Sequence, residues 1–523
     1  MPSRKMSRRG LFRSGAALAA AGAAANIPRS VLAAPTHSLE LGENLYQSIG
    51  VTPLVNCRGT FTIISGSQSL PEVKRAMEAA SHSYVHLDEL MEAVSQRLAH
   101  LTKAEWAIVT AGCAAALTHA TSACITGGDP EKMQRVPNLT GLKNEVVVPR
   151  YSRNEYDHAV RMLGVKMVEV ETAAQFETAI GPQTAMVMIL SCPAAEQGEL
   201  SIPNACAIAR RKGVPVIVDA AAETLTIPNI HLQHGANLVA YSGGKCLRGP
   251  QAAGLLLGQK DLVRAAWINS APHHAFGRAL KVGKEEIMGM LAAVEMWVKR
   301  DHDAEWKQWQ SWLDTIAQQA TQVSGVTTEI LQPEDLSNHA PRLRITWDAA
   351  RLGITGSEAE DILLHGQPRI AVGGSRGTRR DNNPSSLTIM PYMMMPGDDK
   401  IAAAAIHNLL AKPPHITVPD PEPPGVDVAG TWVADLTFVS GSSRHHLTID
   451  QHDGKLTGTH HGDMLTGKLT GDVEGRRVNL HSSQRIEGAN LHFQFSGDVE
   501  IGRIQGVVTL GEYGQAKWTA QRA

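Results

Sequence analysis

The chain has 523 residues, more than one ordinary hydrophobic core organises, so two or more domains are expected. Hydrophobic residues make up 43% and charged residues 19%, with 49 basic against 51 acidic side chains and a net charge of −2. That balance excludes the broad positive field of a nucleic-acid binder and a basic membrane-binding face, and leaves small-molecule chemistry as the expectation.

Residues 1–34 read as a twin-arginine-type signal peptide. Ser7-Arg8-Arg9-Gly10-Leu11-Phe12-Arg13 is basic, a mildly apolar Gly/Ala stretch follows, and Val31-Leu32-Ala33 offers a small-residue cleavage site. The mature protein is then expected to be periplasmic, with no membrane segment after processing, since nothing later is long and apolar enough to span a bilayer. The six cysteines are scattered without a C-x-x-C pair, which argues against a disulfide framework or a zinc site.

Residues 40–330 alternate short β-branched runs with helical stretches. The runs are Ala107–Thr110, Glu145–Val148, Lys166–Val170, Ala185–Leu190, Val214–Asp219, Ala236–Tyr241 and Ala253–Leu257. An Ala-rich helix is expected from about Ala114 and another over Asp157–Leu163. Continuous apolar strands separated by helices predict an α/β domain with a mostly parallel sheet covered on both faces, whose ligands bind at the carboxyl ends of the strands. Residues 285–322 read as one long amphipathic helix leading to a small α/β subdomain over 331–411. The Pro-rich stretch 412–426 reads as a stiff linker. Residues 427–523 differ in kind: Leu447–Thr459 alternates with period two around Asp453-Gly454, and similar segments recur at about ten-residue spacing. They predict a small antiparallel β-barrel-like domain, with Trp432, Phe438, Tyr513 and Trp518 in its core.

The chemistry lies at strand ends. Val214–Asp219 is an apolar run that finishes in a carboxylate, and Lys245 follows 26 residues later, just past the next strand, in Tyr241-Ser242-Gly243-Gly244-Lys245. Either residue alone is commonly a cap or a solvated loop residue. On the same ligand-binding edge they supply what pyridoxal 5′-phosphate (PLP) needs, an amine for its aldehyde and a carboxylate that keeps its ring nitrogen protonated. Ala111-Gly112-Cys113 joins a strand to a helix start, an anion site suited to the cofactor phosphate, with Ser242 as a further hydroxyl. His158 is placed to lay its ring over one cofactor face, or else is an ordinary helical histidine. Ala221 is placed to pack against the other face.

With these residues in view, the chain resembles the PLP-dependent family of bacterial seryl-tRNA selenium transferase and, more closely, D-glucosaminate-6-phosphate ammonia lyase. The likeness is carried by Val55-Asn56-Cys57-Arg58-Gly59-Thr60, by Ser242-Gly243-Gly244-Lys245-Cys246-Leu247-Arg248-Gly249-Pro250-Gln251, and by Val282-Gly283-Lys284-Glu285-Glu286. Pro368-Arg369-Ile370 and Met390-Pro391-Tyr392 add to it. The resemblance implies an aspartate-aminotransferase-like architecture of fold type I and a homodimer or higher homo-oligomer. It also implies an amino-acid-like substrate whose anionic groups meet Arg369, Arg248 or Arg58. An ammonia-lyase reaction is expected; racemisation and transamination share its early steps. The contrasting possibility is a non-catalytic periplasmic ligand- or metal-binding protein. Of its 22 histidines, the pairs His273-His274, His445-His446 and His460-His461 show no metal-ligand spacing, so they are expected in surface loops and hairpins and no metal is expected.

Overall fold

The computed structural model describes residues 39–379, 384–417 and 422–523. The export segment read at 1–34 lies outside the described residues. Two compact units form, one of residues 55–411 and one that takes in 412–523 together with the chain preceding Val55. Among the described residues no helix is long and apolar enough to cross a membrane.

The larger unit is built on a seven-stranded sheet: β1 (Trp106–Thr110), β2 (Glu145–Pro149), β3 (Lys166–Val170), β4 (Thr184–Leu190), β5 (Val216–Asp219), β6 (Leu238–Ser242) and β7 (Gly254–Gly258). Their order is β1-β7-β6-β5-β4-β2-β3, with only β7 antiparallel to its neighbours. The central strands are buried on both faces, as their unbroken apolar runs require. Each buried Val, Ile or Leu contributes about 1.5–3 kcal/mol relative to exposure. Helix α1 (Gly112–Thr126) is buried almost all round, so it is Ala-rich rather than amphipathic. Its Thr121 and Thr126 hydroxyls donate to carbonyls one turn back, at 2.7 and 2.9 Å, which satisfies those two buried hydroxyls. A short helix, α2 (His158–Arg161), follows β2.

The long helix expected over 285–322 is two helices, α3 (Lys284–Lys299) and α4 (His302–Ala320). Arg300 is extended, and the Asp301 carboxylate accepts the Ala304 N–H at 2.9 Å, starting a new helix. Helix α4 belongs to the small lobe. Its Leu313, Ile316 and Ala320 share a core with Leu343, Ile345, Leu363 and Ile370, so that lobe begins near residue 302 rather than 331. The same core rests on the strands β8 (Thr327–Leu331), β9 (Arg342–Trp347), β10 (Gly373–Gly374) and β11 (Ser385–Ile389), ordered β10-β11-β9-β8, and on helices α5 (Gly356–His365) and α6 (Asp398–Ala411). It also takes Cys57 from the start of the unit, where Val55-Asn56 pairs in parallel with Ile370-Ala371.

The second unit holds a closed antiparallel barrel of eight strands: β12 (Gly430–Thr437), β13 (Ser442–His452), β14 (Lys455–His461), β15 (Thr466–Glu474), β16 (Arg477–Ile486), β17 (Ala489–Glu500), β18 (Arg503–Thr509) and β19 (Gln515–Arg522). The expected Asp453-Gly454 turn joins β13 to β14, with Asp453 at φ 51°. Trp432 and Trp518 are fully buried and Phe438 packs on the core, but Tyr513 is exposed, because it lies in a one-turn loop before β19 rather than on a strand. The end of the expected linker is not free: Gly425 N–H donates to the Gly475 carbonyl at 2.7 Å, so residues 424–426 seal one end of the barrel.

Candidate active site

Asp219 is the last residue of β5 and is 2% exposed. Its carboxylate accepts the Ala221 N–H at 3.1 Å and faces the Cys113 thiol at 3.6 Å. Burial pushes its carboxyl above the usual range, while the Ala221 hydrogen bond and the positive charge of Lys245 pull the other way. A carboxylate this dry wants a fixed cationic N–H beside it.

Lys245 sits in the turn that follows β6. The turn is held by Gly243 N–H to the Ala253 carbonyl at 2.8 Å and by Arg248 N–H to the Lys245 carbonyl at 2.9 Å. A Cβ at Gly243 would lie 2.7 Å from the Ala253 oxygen and 2.9 Å from Met290 Sδ, so packing demands glycine there. The Lys245 side chain is half-buried, and its charge is felt at Asp219 and at Cys113. Among the described residues its amine holds no hydrogen bond or ion pair, which leaves it available.

Ala111 caps α1 without a side chain that could accept, so the first amides of the helix are unanswered by any cap. Gly112 has φ +83°, and a Cβ there would meet nothing within 4 Å; the space in front of these amides is open. Behind them the backbone is tightly packed: a Cβ at Gly254 would lie 2.4 Å from the Gly112 carbonyl carbon. The residues present therefore fit PLP. A dry carboxylate suits its protonated ring nitrogen, a free amine its aldehyde, and a helix start with open space its phosphate.

The other predicted residues fall as follows. Ala221 lies two residues beyond Asp219, and its carbonyl accepts the Ser242 N–H at 3.4 Å. His158 is exposed at the start of α2, with a ring nitrogen 3.3 Å from the Arg161 guanidinium, and no contact joins it to Asp219 or Lys245. Arg248, half-buried, donates to the Gln68 carbonyl at 3.1 Å and lies 3.7 Å from Met395 Sδ. Arg58 pairs with Glu360 of α5, and its guanidinium lies 5.1 Å from the Phe61 ring centre. Arg369 donates to the Leu364 carbonyl at 2.8 Å. Among the described residues no group of three or more His, Cys, Asp and Glu side chains is arranged to hold a metal.

Three features escaped sequence reasoning. The Cys113 side chain, not only its amide, faces the Asp219 carboxylate. Behind that carboxylate, Glu223 is 2% exposed, accepts from the Ser191 hydroxyl, and lies 2.6 Å from His231 Nε2. Its four-residue spacing from Asp219 was the available signal. From the small lobe, the Tyr392 hydroxyl donates to Asn338 at 2.6 Å and lies 2.9 Å from the Thr60 hydroxyl. Asn338 N–H in turn donates to the Ala222 carbonyl at 2.8 Å, so the small lobe pins the loop after Asp219.

Comparison with known proteins agrees with this geometry. Residues 51–266 match the family described as Cys/Met metabolism PLP-dependent enzyme. D-glucosaminate-6-phosphate ammonia lyase of Salmonella typhimurium is 30% identical over 334 residues, 62% of this chain and 88% of that protein. The 5′-C-glycyluridine monooxygenase-decarboxylase of a Streptomyces species is 29% identical over 347 residues, 64% and 84% respectively. A solved structure of D-glucosaminate-6-phosphate ammonia-lyase superposes with a TM-score of 0.62 at 27% identity, covering 71% of this chain and 99% of that one.

Proposed function

We propose, for a chain that belongs to the PLP-dependent, fold-type-I family of D-glucosaminate-6-phosphate ammonia lyase, that the reaction is an α,β-elimination releasing ammonia from a hydroxylated amino acid or amino sugar acid. When bound, the cofactor supplies an electron sink for the pair left at the substrate α-carbon. The chain's own residues do the rest. The Lys245 amine would hold the cofactor by its aldehyde, and Lys245 Nζ takes the α-proton. The Asp219 carboxylate accepts the ring N–H and keeps the ring positively charged. The amides of Ala111, Gly112 and Cys113 and the Ser242 hydroxyl would hold the phosphate, and Ala221 would pack on one ring face. His158 has a second, competing assignment as a surface residue, favoured by its exposure and its contact with Arg161.

The balance is simple. The α C–H bond breaks with its proton going to Lys245 Nζ, and the β C–O bond breaks as the hydroxyl takes that proton and leaves as water. The enamine so released takes a proton from water at its β-carbon, and a water then replaces the nitrogen, which departs as ammonia. The products are a 2-oxo acid and ammonia. Arg248 and Arg369 are assigned to the substrate's carboxylate or phosphate. Arg58 is the weakest of the three, because Glu360 already neutralises it. Export to the periplasm in folded form and assembly as a homodimer belong to the same proposal; the Ser7–Arg13 segment supports the first.

One observation carries the reading: a dry carboxylate and an unpaired amine at the ends of neighbouring strands, in a chain alike to an ammonia lyase along 88% of that enzyme's length. The test is release of ammonia and 2-oxo acid by the yellow, cofactor-loaded protein across D- and L-hydroxyamino acids and amino sugar acids. Lys245→Ala should lose both the absorbance of bound cofactor near the visible edge and turnover. Retention of both, or amine transfer or loss of optical activity without ammonia, would turn the assignment away from a lyase.

A further inference from the structure

The barrel interior is divided in two. At one end, three two-residue turns (453–454, 475–476 and 501–502) close the strands, Ile449, Val473, Val478 and Ile504 form a dry core, and the chain entering at 424–428 seals it. Arg522 completes that seal, donating to the Ala429 and Asp427 carbonyls at 2.6 and 2.9 Å. At the other end three longer loops (438–441, 462–465 and 510–514) and one two-residue turn (487–488) join the strands. Three large apolar side chains sit exposed on the loops, Val439 at 84%, Met464 at 82% and Tyr513 at 59%.

Just inside that looser end lies a file of polar side chains, where alternation along the strands puts residues that elsewhere are apolar. His445 is 5% exposed and His460 is fully buried, contrary to the surface placement expected for them. The reason is parity: His445 shares its face of β13 with Leu447 and Ile449, and His460 its face of β14 with Leu456. The partners run in one line. Gln484 Nε2 is 3.2 Å from His460 Nδ1, His460 Nε2 is 2.7 Å from His445 Nδ1, and His445 Nε2 is 2.8 Å from the Ser443 hydroxyl.

The direction of that line is fixed. Gln484 Nε2 also lies 3.1 Å from the His460 backbone carbonyl, an acceptor that admits only the amide nitrogen. The Gln484 amide therefore donates to His460 Nδ1, His460 Nε2–H donates to His445 Nδ1, and His445 Nε2–H donates to Ser443. Both rings must be neutral for this, and burial holds both below the ordinary histidine value, His460 down to about 3. With all four ring nitrogens engaged, none is free to take a metal. The Ser443 O–H, half-buried at the mouth, is left pointing its proton at whatever enters. Beside the file, Ser482 is 5% exposed, and its buried hydroxyl has no partner among the described residues. It lies against Gln484 across Gly467, where a Cβ would come within 2.8 Å of it. Phe493, partly buried, faces both histidine rings at 5.7 and 4.8 Å.

We propose that this end of the barrel is a binding site for an uncharged, mostly apolar organic molecule bearing a carbonyl-type hydrogen-bond acceptor. The acceptor meets the Ser443 hydroxyl, the body lies on Phe493, and the rim of Val439, Met464 and Tyr513 covers it. The absence of charge follows from the wall: inward strand positions at this end carry no Lys, Arg, Asp or Glu, and of the two groups outside the wall whose charge reaches His445, Asp463 acts more strongly than His446. An anion would find no cation there. The site is independent of the PLP chemistry.

The full-length, cofactor-loaded chain is titrated with prodan, an uncharged aromatic ketone whose emission shifts to the blue on leaving water. The expected result is saturable, blue-shifted binding of one probe per chain. Ser443→Ala weakens it about tenfold, the worth of one neutral hydrogen bond at the upper end, and Phe493→Trp, which fills the mouth, weakens it further. Nitrogen-15 spectra of the histidine rings serve as a second readout that needs no variant: His445 and His460 carry their proton on Nε2, and the probe shifts His445 most. Absence of saturable binding, an affinity unchanged in both variants, or unshifted His445 resonances at saturation overturns the proposal.

Discussion

The sheet edge around Asp219 and the histidine file inside the barrel are both polar clusters buried in apolar surroundings, yet they are solved in opposite ways. Around Asp219 the chain leaves chemistry unfinished: a carboxylate pushed up by burial, a lysine without a partner, and helix amides with no cap. Inside the barrel every ring nitrogen of His445 and His460 is answered, and no charge is present. An unsatisfied charged group is costly to bury, so it persists only where a bound group completes it. A satisfied neutral file costs little and holds a shape. The first arrangement therefore marks reactivity, and the second marks recognition.

The contrast can be pressed experimentally. Asp219→Asn should lower turnover about a hundredfold, the worth of one charged hydrogen bond in a dry site. The same change should not lower the melting temperature of the cofactor-free protein, because it removes a buried charge. A loss of stability instead would place Asp219 among structural residues. His460→Ala does the reverse. It opens a void and strands His445 and Gln484, and should destabilise the barrel by about 3 kcal/mol in denaturant melts followed by tryptophan fluorescence. Turnover at the sheet should be unchanged, and a fall would break the separation drawn here.

The smallest effect is on pH. Burial pushes His460 down to about 3 and His119, on α1, down to about 4. Their unfolded counterparts take up a proton near pH 6.5, so each contributes stability that is complete above that value. It is lost as the pH falls toward the folded value, because only the unfolded chain is protonated in between. Melts should show a decline from about pH 6.5 toward pH 3, at no more than about 1.4 kcal/mol per pH unit per histidine. His460→Phe should flatten it for the barrel. A slope that survives that change would assign the decline elsewhere.

The large sheet was legible because its strands are buried on both faces, so composition alone marks them. Lys166–Val170 is placed as expected, and the other strands start or end within about two residues of their apolar runs. Asp219 and Lys245 stood out because each ends or follows such a run. What was hidden depended on single side chains. Asp301 cuts a periodic stretch into two helices by capping the second, and periodicity does not register that. Cys57 joins the small lobe's core from 250 residues or more away in sequence, which no local pattern carries. The Glu223, Ser191 and His231 contacts bring two loops and a short helix together only after folding. The barrel histidines were legible in principle: their parity with Leu447, Ile449 and Leu456 points inward, and it is the usual preference of histidine for surfaces that misleads.

The last strand of the barrel pairs with the first, Trp518 opposite Leu436 and Thr519 opposite Asp435. A sheet rolled up in this way offers no row of bare amides and carbonyls on which a further strand could be templated. A β-rich module of this kind can ride on an enzyme at high local concentration without seeding fibrils, and every strand pair but the closing one joins neighbours in sequence. The appendage thus carries little aggregation liability for the catalytic half that bears it.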